Sequence, residues 1–189
     1  MIHKSIFLTS ILILCAYGLN AQNDFRKMNW YESSETLMEK YPEVDFHKET
    51  EMGMTAYSHI HYVSGIETRI AYCFMNDEFL AGIYEFTSDR SSRYAKDFVK
   101  DFDKISAVLQ SKYELKRDSI WYTETYNVDL MGIDFYLEQG DVDLAELGFD
   151  GGTSIAHTLA NREDSIKHIL MYSSRKLLWE YKDSLEDDF

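Results

Sequence analysis

The chain has 189 residues, with 33 Asp and Glu against 19 Lys and Arg and a formal net charge of −14. Long-range repulsion of that size argues against nucleic acid and anionic lipid surfaces as partners. With 45% hydrophobic residues, 15% aromatic residues and a single proline, the composition is that of a chain that packs a core.

Residues Met1 to Ala21 show a short positive start at His3 and Lys4, an apolar stretch from Ile6 to Ala16 and a polar end closing on Leu19-Asn20-Ala21. This is the pattern of a secretory signal peptide over 1–21, with cleavage expected before Gln22 and a mature domain over 22–189. The stretch is shorter than the roughly 20 apolar residues that span a bilayer, so no stable membrane insertion is expected after cleavage. Without Lys4, 18 basic and 33 acidic residues remain, a charge of −15. Cys15 leaves with the signal, so Cys73 has no partner for an internal disulfide and stability must come from packing. The expected place of the protein is the periplasm or the outside of the cell, in soluble form.

A first unit is expected over about 25–88. Ser33 or Ser34 caps a short helix through Glu39-Lys40-Tyr41, stopped by Pro42. Strands follow at Val44 to Thr50, Met54 to Val63, Ile66 to Met75 and Phe79 to Phe86, punctuated by Gly53, Ser64-Gly65 and Asn76-Asp77. Connections this short make an antiparallel meander.

A second unit is expected over about 89–175. Its helix runs from about Ser92 to Tyr113, where Tyr94, Phe98, Phe102, Ile105 and Leu109 form one apolar stripe and Lys96, Lys100 and Lys104 lie opposite. Strands are read at Ser119 to Tyr126, Asp141 to Phe149, Thr153 to Ala160 and Ser165 to Ser173. In the last two, Ile155, His157 and Leu159 share a face, as do Ile166, His168, Leu170 and Tyr172. Asn127 to Gly140 holds a short helix with Leu130, Ile133 and Leu137 on one side, and 176–189 form a tail.

The fold class is therefore α+β, two tandem helix-plus-antiparallel-meander units with the helices packed on one face of the sheet. Three stretches carry a likeness to known proteins: Leu19-Asn20-Ala21-Gln22, Met28-Asn29-Trp30-Tyr31-Glu32-Ser33, and Thr153-Ser154-Ile155 through Ile166-Lys167-His168-Ile169-Leu170-Met171-Tyr172-Ser173. On these the chain resembles uncharacterised exported proteins of Bacteroidota. In element order it resembles the beta-lactamase-inhibitor proteins and, for one unit, the outer-membrane assembly lipoprotein BamE. The inhibitor resemblance implies disulfides, and this chain departs from it in having none internally.

No nucleophile elbow, P-loop or dinucleotide glycine fingerprint is present, and Gly148 to Ser154 places its glycines where a hairpin needs them. His59 and His61 stand two apart on one strand, a spacing that serves Zn or Cu if further ligands converge. From Asp118 to Asn161, 44 residues contain nine acidic residues and no Lys or Arg. Within that stretch Asp141, Asp143, Glu146 and Asp150 offer oxygen ligands for a calcium-type cation, although the EF-hand order is absent and Asp141, Asp143 and Ala145 would share a strand face.

The expected function is a non-enzymatic binding or envelope-assembly module with no required cofactor. Its contact surface would combine Tyr57, Tyr62, Tyr72 and Tyr84 with the acidic second unit, facing a basic or aromatic-binding envelope protein. The alternatives are a calcium-type cation-binding protein and a hydrolase using the acidic residues.

Overall fold

Alternating strands joined by two-residue turns can only fold back on their neighbours, and a computed structural model of the chain shows the sheet that results. It describes residues 24–51, 53–86, 94–123, 128–162 and 165–175. Strands β1 (His47–Glu51), β2 (Met54–Val63), β3 (Ile66–Met75) and β4 (Glu78–Phe86) form the first meander. Ser64-Gly65 and Asn76-Asp77 close its hairpins with positive φ at both central residues, the twist that matches right-handed strands. Strands β5 (Leu115–Trp121), β6 (Val142–Asp150), β7 (Thr153–Arg162) and β8 (Ser165–Ser174) form the second. Strands β7 and β8 stay paired out to Arg162 and Ser165, so β7 runs two residues beyond its expected end at Ala160; 163–164 lie outside the described residues.

All eight strands belong to one antiparallel sheet in the order β1-β2-β3-β4-β8-β7-β6-β5. Its centre is the β4–β8 pair, where Ala81 to Glu85 face Ser173 to Ile169. Both edges are charged: β1 is exposed throughout, and β5 carries Lys116, Arg117 and Asp118. Charges of this kind keep an open edge from pairing with another chain. Strand β5 lies four residues ahead of its expected start at Ser119. It begins once α2 has ended, and Leu115 packs against Gly148, where a Cβ would come within 2.4 Å of the leucine side chain.

The helices are α1 (Ser34–Lys40), α2 (Ala95–Gln110), α3 (Val128–Met131) and α4 (Ile133–Gln139). Ser33 caps α1, its hydroxyl accepting from Thr36 N at 3.3 Å. Helix α2 buries Phe98, Phe102, Ile105 and Leu109 as the stripe requires. Tyr94 does not join them. It stands just before the helix, 68% exposed, while Asp97 accepts its backbone N–H. In the 127–140 region Leu137 is fully buried and Ile133 packs beside it; 124–127 and the side chain of Leu130 lie outside the described residues.

Helices α1, α2 and α4 all deliver their buried side chains to the same face of the sheet. We call this the inner face. Leu37 of α1 joins Ile70, Tyr72, Phe74 and Phe79; Phe98, Phe102, Tyr136 and Leu137 cover Val142, Leu144 and Leu159; Ile105 and Leu109 meet Ile66, Phe86, Ile155 and Leu170.

The segment ahead of α1 is part of this core. Phe25 and Met28 bond each other across a tight turn, N to O, at 3.0 and 2.9 Å. The Phe25 ring lies directly on Gly82, so close that a Cβ there would sit 2.3 Å from ring carbons. Tyr72, Tyr84 and Tyr172 surround it at ring separations of 5.1 to 5.7 Å. Trp30 stacks on Phe79, and its indole N–H donates to Thr153 Oγ1 at 3.0 Å.

Candidate functional site

The residues singled out for chemistry are distributed over both faces. His59 and His61 do share the inner face of β2, with ring centroids 6.2 Å apart, His59 half-buried and His61 exposed. The four acidic candidates separate. Asp143 and Glu146 are of opposite parity in β6 and point to opposite faces; Asp141 precedes the strand, its carbonyl accepting from Tyr122 N, and Asp150 is exposed at the hairpin. Among the described residues no set of three or more His, Cys, Asp or Glu is grouped to hold a metal ion. Cys73 is half-buried, and burial pushes its thiol up to about 11, which leaves it protonated at neutral pH.

Alternation in β6 places Glu146 with Val142 and Leu144, inside, and there it anchors a hydrogen-bonded chain. Gln110 Nε2 of α2 donates to Glu146 Oε1 at 3.1 Å. His157 Nδ1 lies 3.2 Å from Glu146 Oε2, and His157 Nε2 lies 2.8 Å from His168 Nε2. A carboxylate that only accepts fixes the tautomer: His157 carries its proton on Nδ1 and accepts at Nε2 from His168. Phe102 stacks on His157 at 4.1 Å and 8°. Glu146 and His157 are 0% exposed and His168 1%. Burial, seconded by the Arg117 charge, holds the His157 imidazole far below its ordinary range, at about 3. The carboxylate–imidazole pair resembles that of a hydrolase, but the nitrogen that would activate a nucleophile is occupied by His168, and no solvent reaches it. The sequence put both histidines on inward faces; the partnership with Glu146 depends on the β6–β7 register, which pairs Glu146 with His157.

The other face, here the outer face, carries no described helix. Strand register lays one row across all eight strands: His47, Ser58, Ala71, Ile83, Met171, Ala156, Leu147 and Lys116. Small and apolar residues fill its middle, and the parallel row Ala56, Cys73, Ala81, Ser173, Ser154 and Phe149 repeats the pattern. Large apolar side chains are exposed at the ends of the face, Leu147 at 54% and Phe149 at 61% on one side, the Phe149 ring carrying the Arg175 guanidinium 4.5 Å from its centroid, and Ile60 and Tyr62 on the other. At the Leu147 side Arg162 engages Asp143 with both guanidinium Nη atoms, and Tyr122 donates to Asp143 Oδ2 at 2.7 Å. Asp143 is therefore neutralised within the fold.

No known family, no curated protein and no solved structure matches this chain.

The four tyrosines expected to form a contact surface do not stand together. Tyr72 is completely buried, Tyr57 and Tyr84 are half-buried on the inner face, and Tyr62 is 65% exposed on the outer face. The phenols are large enough to fill the layer between sheet and leading segment, and that packing absorbs three of them. Two clefts open at the margins of the inner face. One, of 190 Å³, is lined by Asp24, Tyr113, Asp150, Thr153, Ile155 and Tyr172; the other, of 160 Å³, lies among Lys48, Thr55, Tyr57, Phe74 and Asp77.

Proposed function

We propose that the protein is an exported, non-enzymatic binding module that presents the outer face of its sheet to a basic or aromatic-binding protein of the cell envelope. The observation that carries this reading is the row from Ser58 to Leu147, an apolar band on which no described helix packs, with small buried Ser58 and Ala71 at one end and exposed Leu147 at the other, while the buried clusters among the described residues form on the opposite face. Exposed Leu147 and Phe149 supply the apolar anchors that interfaces concentrate at their centres. The residual charge of −15 favours a basic partner and a salt-sensitive encounter.

Export is supported by the pattern of Met1 to Ala21, and no described helix is long and apolar enough to cross a membrane. We read the sheet as two tandem units, α1 with β1–β4 and α2 with β5–β8. The strand order supports this, because the last strands of the two meanders meet at the centre and the first strands form the edges. That is the element order which the resemblance to the beta-lactamase-inhibitor proteins implies.

Site-specific photocrosslinking in producing cells tests the surface. A crosslinker at position 149 or 147 is expected to trap one discrete protein, and a crosslinker at Lys100 on the solvent side of α2 to trap none. Adducts on α2 alone, or none at any position, would overturn the reading. Phe149→Ser should weaken capture at position 147 at least about tenfold, the effect of losing one buried aromatic anchor.

A further inference from the structure

On the outer face, strands β2, β3, β4 and β8 are shielded more than their own side chains can shield them. Ser173 is 3% exposed, Ser58 4% and Ala71 7%. Register sets Ser173 between Ala81 and Ser154, and Cys73 between Ala56 and Ala81, side chains too short to shade a neighbour. Even so, burial at Cys73 is enough to push its thiol up to about 11. Ser173 Oγ is shut off from solvent and has no hydrogen-bond partner. On a sheet face open to water a serine hydroxyl is hydrated, so this isolation marks a covered face. No described helix packs there, while Leu147, Phe149, Ile60 and Tyr62 around the patch stay exposed.

Strand β8 leads out of the sheet at this patch. It ends at Ser174, Arg175 N donates to Gly152 O at 2.8 Å, and the Arg175 guanidinium lies over the outer-face ring of Phe149. The chain continues for 14 residues, 176–189, which lie outside the described residues. Their sequence carries Leu177, Leu178, Tyr181 and Leu185, the spacing of one apolar stripe on a helix, with Lys176, Asp183 and Asp187 on the other side. Fourteen helical residues reach roughly 21 Å. The four strands from β8 through β4 and β3 to β2 span about 14 Å. A helix that short is marginal alone in water and needs an apolar surface to hold it.

We propose that the C-terminal segment 176–189 docks on the outer face over strands β2, β3, β4 and β8, with the stripe of Leu177, Leu178, Tyr181 and Leu185 against the sheet. Small residues at Ser58, Ala71, Ala81 and Ser173 let a helix approach closely, and Ile83 and Met171 between them give it apolar contact. The occupant is the chain's own segment because the chain leaves β8 beside the patch, and a tethered segment is held there at high effective concentration. Docking confines the partner surface proposed above to the Leu147 and Phe149 end. Its footing is the burial of Ser58, Ala71 and Ser173, and it does not depend on that reading.

Cys73 lies inside this footprint and reports on it. In the full chain, alkylation by iodoacetamide is followed at Cys73 by peptide mass mapping. Leu177→Ser, Leu178→Ser and Tyr181→Ser together are expected to speed it at least about tenfold, the effect of removing a cover that otherwise opens only locally. Single cysteines carry the test without loosening the fold. On mild oxidation at least one of Leu177→Cys, Leu178→Cys, Tyr181→Cys and Leu185→Cys should close an intrachain disulfide with Cys73. Asp183→Cys, on the other side of the stripe, should close none, since a bridge needs Cα atoms within about 7 Å. No intrachain bridge from any stripe position, or an unchanged alkylation rate in the triple variant, overturns the docking. So does a bridge that joins two chains, which would assign the face to a second copy. Phe149→Ser should leave both readouts unchanged, and photocrosslinking at position 149 is read separately, so either proposal can fail alone.

Discussion

At the scale of single residues, the chain that runs from exposed Gln110 to buried Glu146, His157 and His168 couples folding to pH. In the unfolded chain His157 takes a proton near 6.5; in the fold it resists until about 3. Between those values the unfolded state binds the extra proton, so the contribution of neutral His157 is complete above the unfolded value and is lost on acidification. Going from pH 7 to pH 5 this one group costs about 2 kcal/mol of stability. Thermal melts across that range should fall in the parent and fall less in His157→Gln, which cannot be protonated. Equal slopes in the two proteins would show that other groups govern the acid limb. Glu146 sets the sign of a second comparison. Glu146→Leu removes the acceptor of both Gln110 and His157 and strands the buried His157 Nδ1–H, so it should destabilise more than a shape-matched apolar replacement elsewhere in the same cluster.

At the scale of elements, the leading segment and the central strand are held together by one close contact. Phe25 is 2% exposed among three tyrosine rings and rests on the Cα of Gly82. Gly82→Ala must push the ring into neighbours that cannot yield, at a cost of about 1–3 kcal/mol. Phe25→Ala empties the layer and should cost about 3–5 kcal/mol. In the double variant the added methyl enters the space that the ring left, so the two costs should fall short of their sum by 1 kcal/mol or more in urea unfolding, the coupling expected of residues in contact. Strict additivity would mean that the ring is free to move aside. This contact also marks the limit of what the sequence made legible. Strands β2 and β3 were readable to the residue because alternating apolar residues and two-residue turns are local signals. The packing of 24–31 was not, since its partners Gly82, Thr153 and Ser174 lie far along the chain. Strand β5 was misplaced because Lys116, Arg117 and Asp118 suit an edge, where charge is tolerated, and not the half-buried pattern that identifies interior strands. Glu146 was read among potential cation ligands; its parity with Val142 and Leu144 already assigned it to the core.

At the scale of the whole molecule, the question is whether the two meanders fold as one. The seam between them is a five-residue antiparallel pairing of β4 with β8 at the middle of the sheet. Above it, Ile66 and Phe86 from the first half share a buried cluster with Ile105, Leu109, Ile155 and Leu170 from the second. Trp30 reaches Thr153, and Tyr31 Oη lies 2.9 Å from Ser174 Oγ, so the leading segment of the first half bonds the last two strands of the second. Neither half can lose its core without opening that of the other, and the transition should be two-state. Urea unfolding followed by the far-ultraviolet sheet signal and by the near-ultraviolet aromatic signal should give coincident curves. Ile155→Ala, in the shared cluster, should lower both midpoints equally and cost about 2–5 kcal/mol. In native-state hydrogen exchange the slowest amides of β3 and of β7 should then open with the same free energy, because both require global unfolding. Two separated transitions, or an Ile155→Ala effect confined to the amides of β6–β8, would mean that the halves are distinct folding units joined by a strand pair.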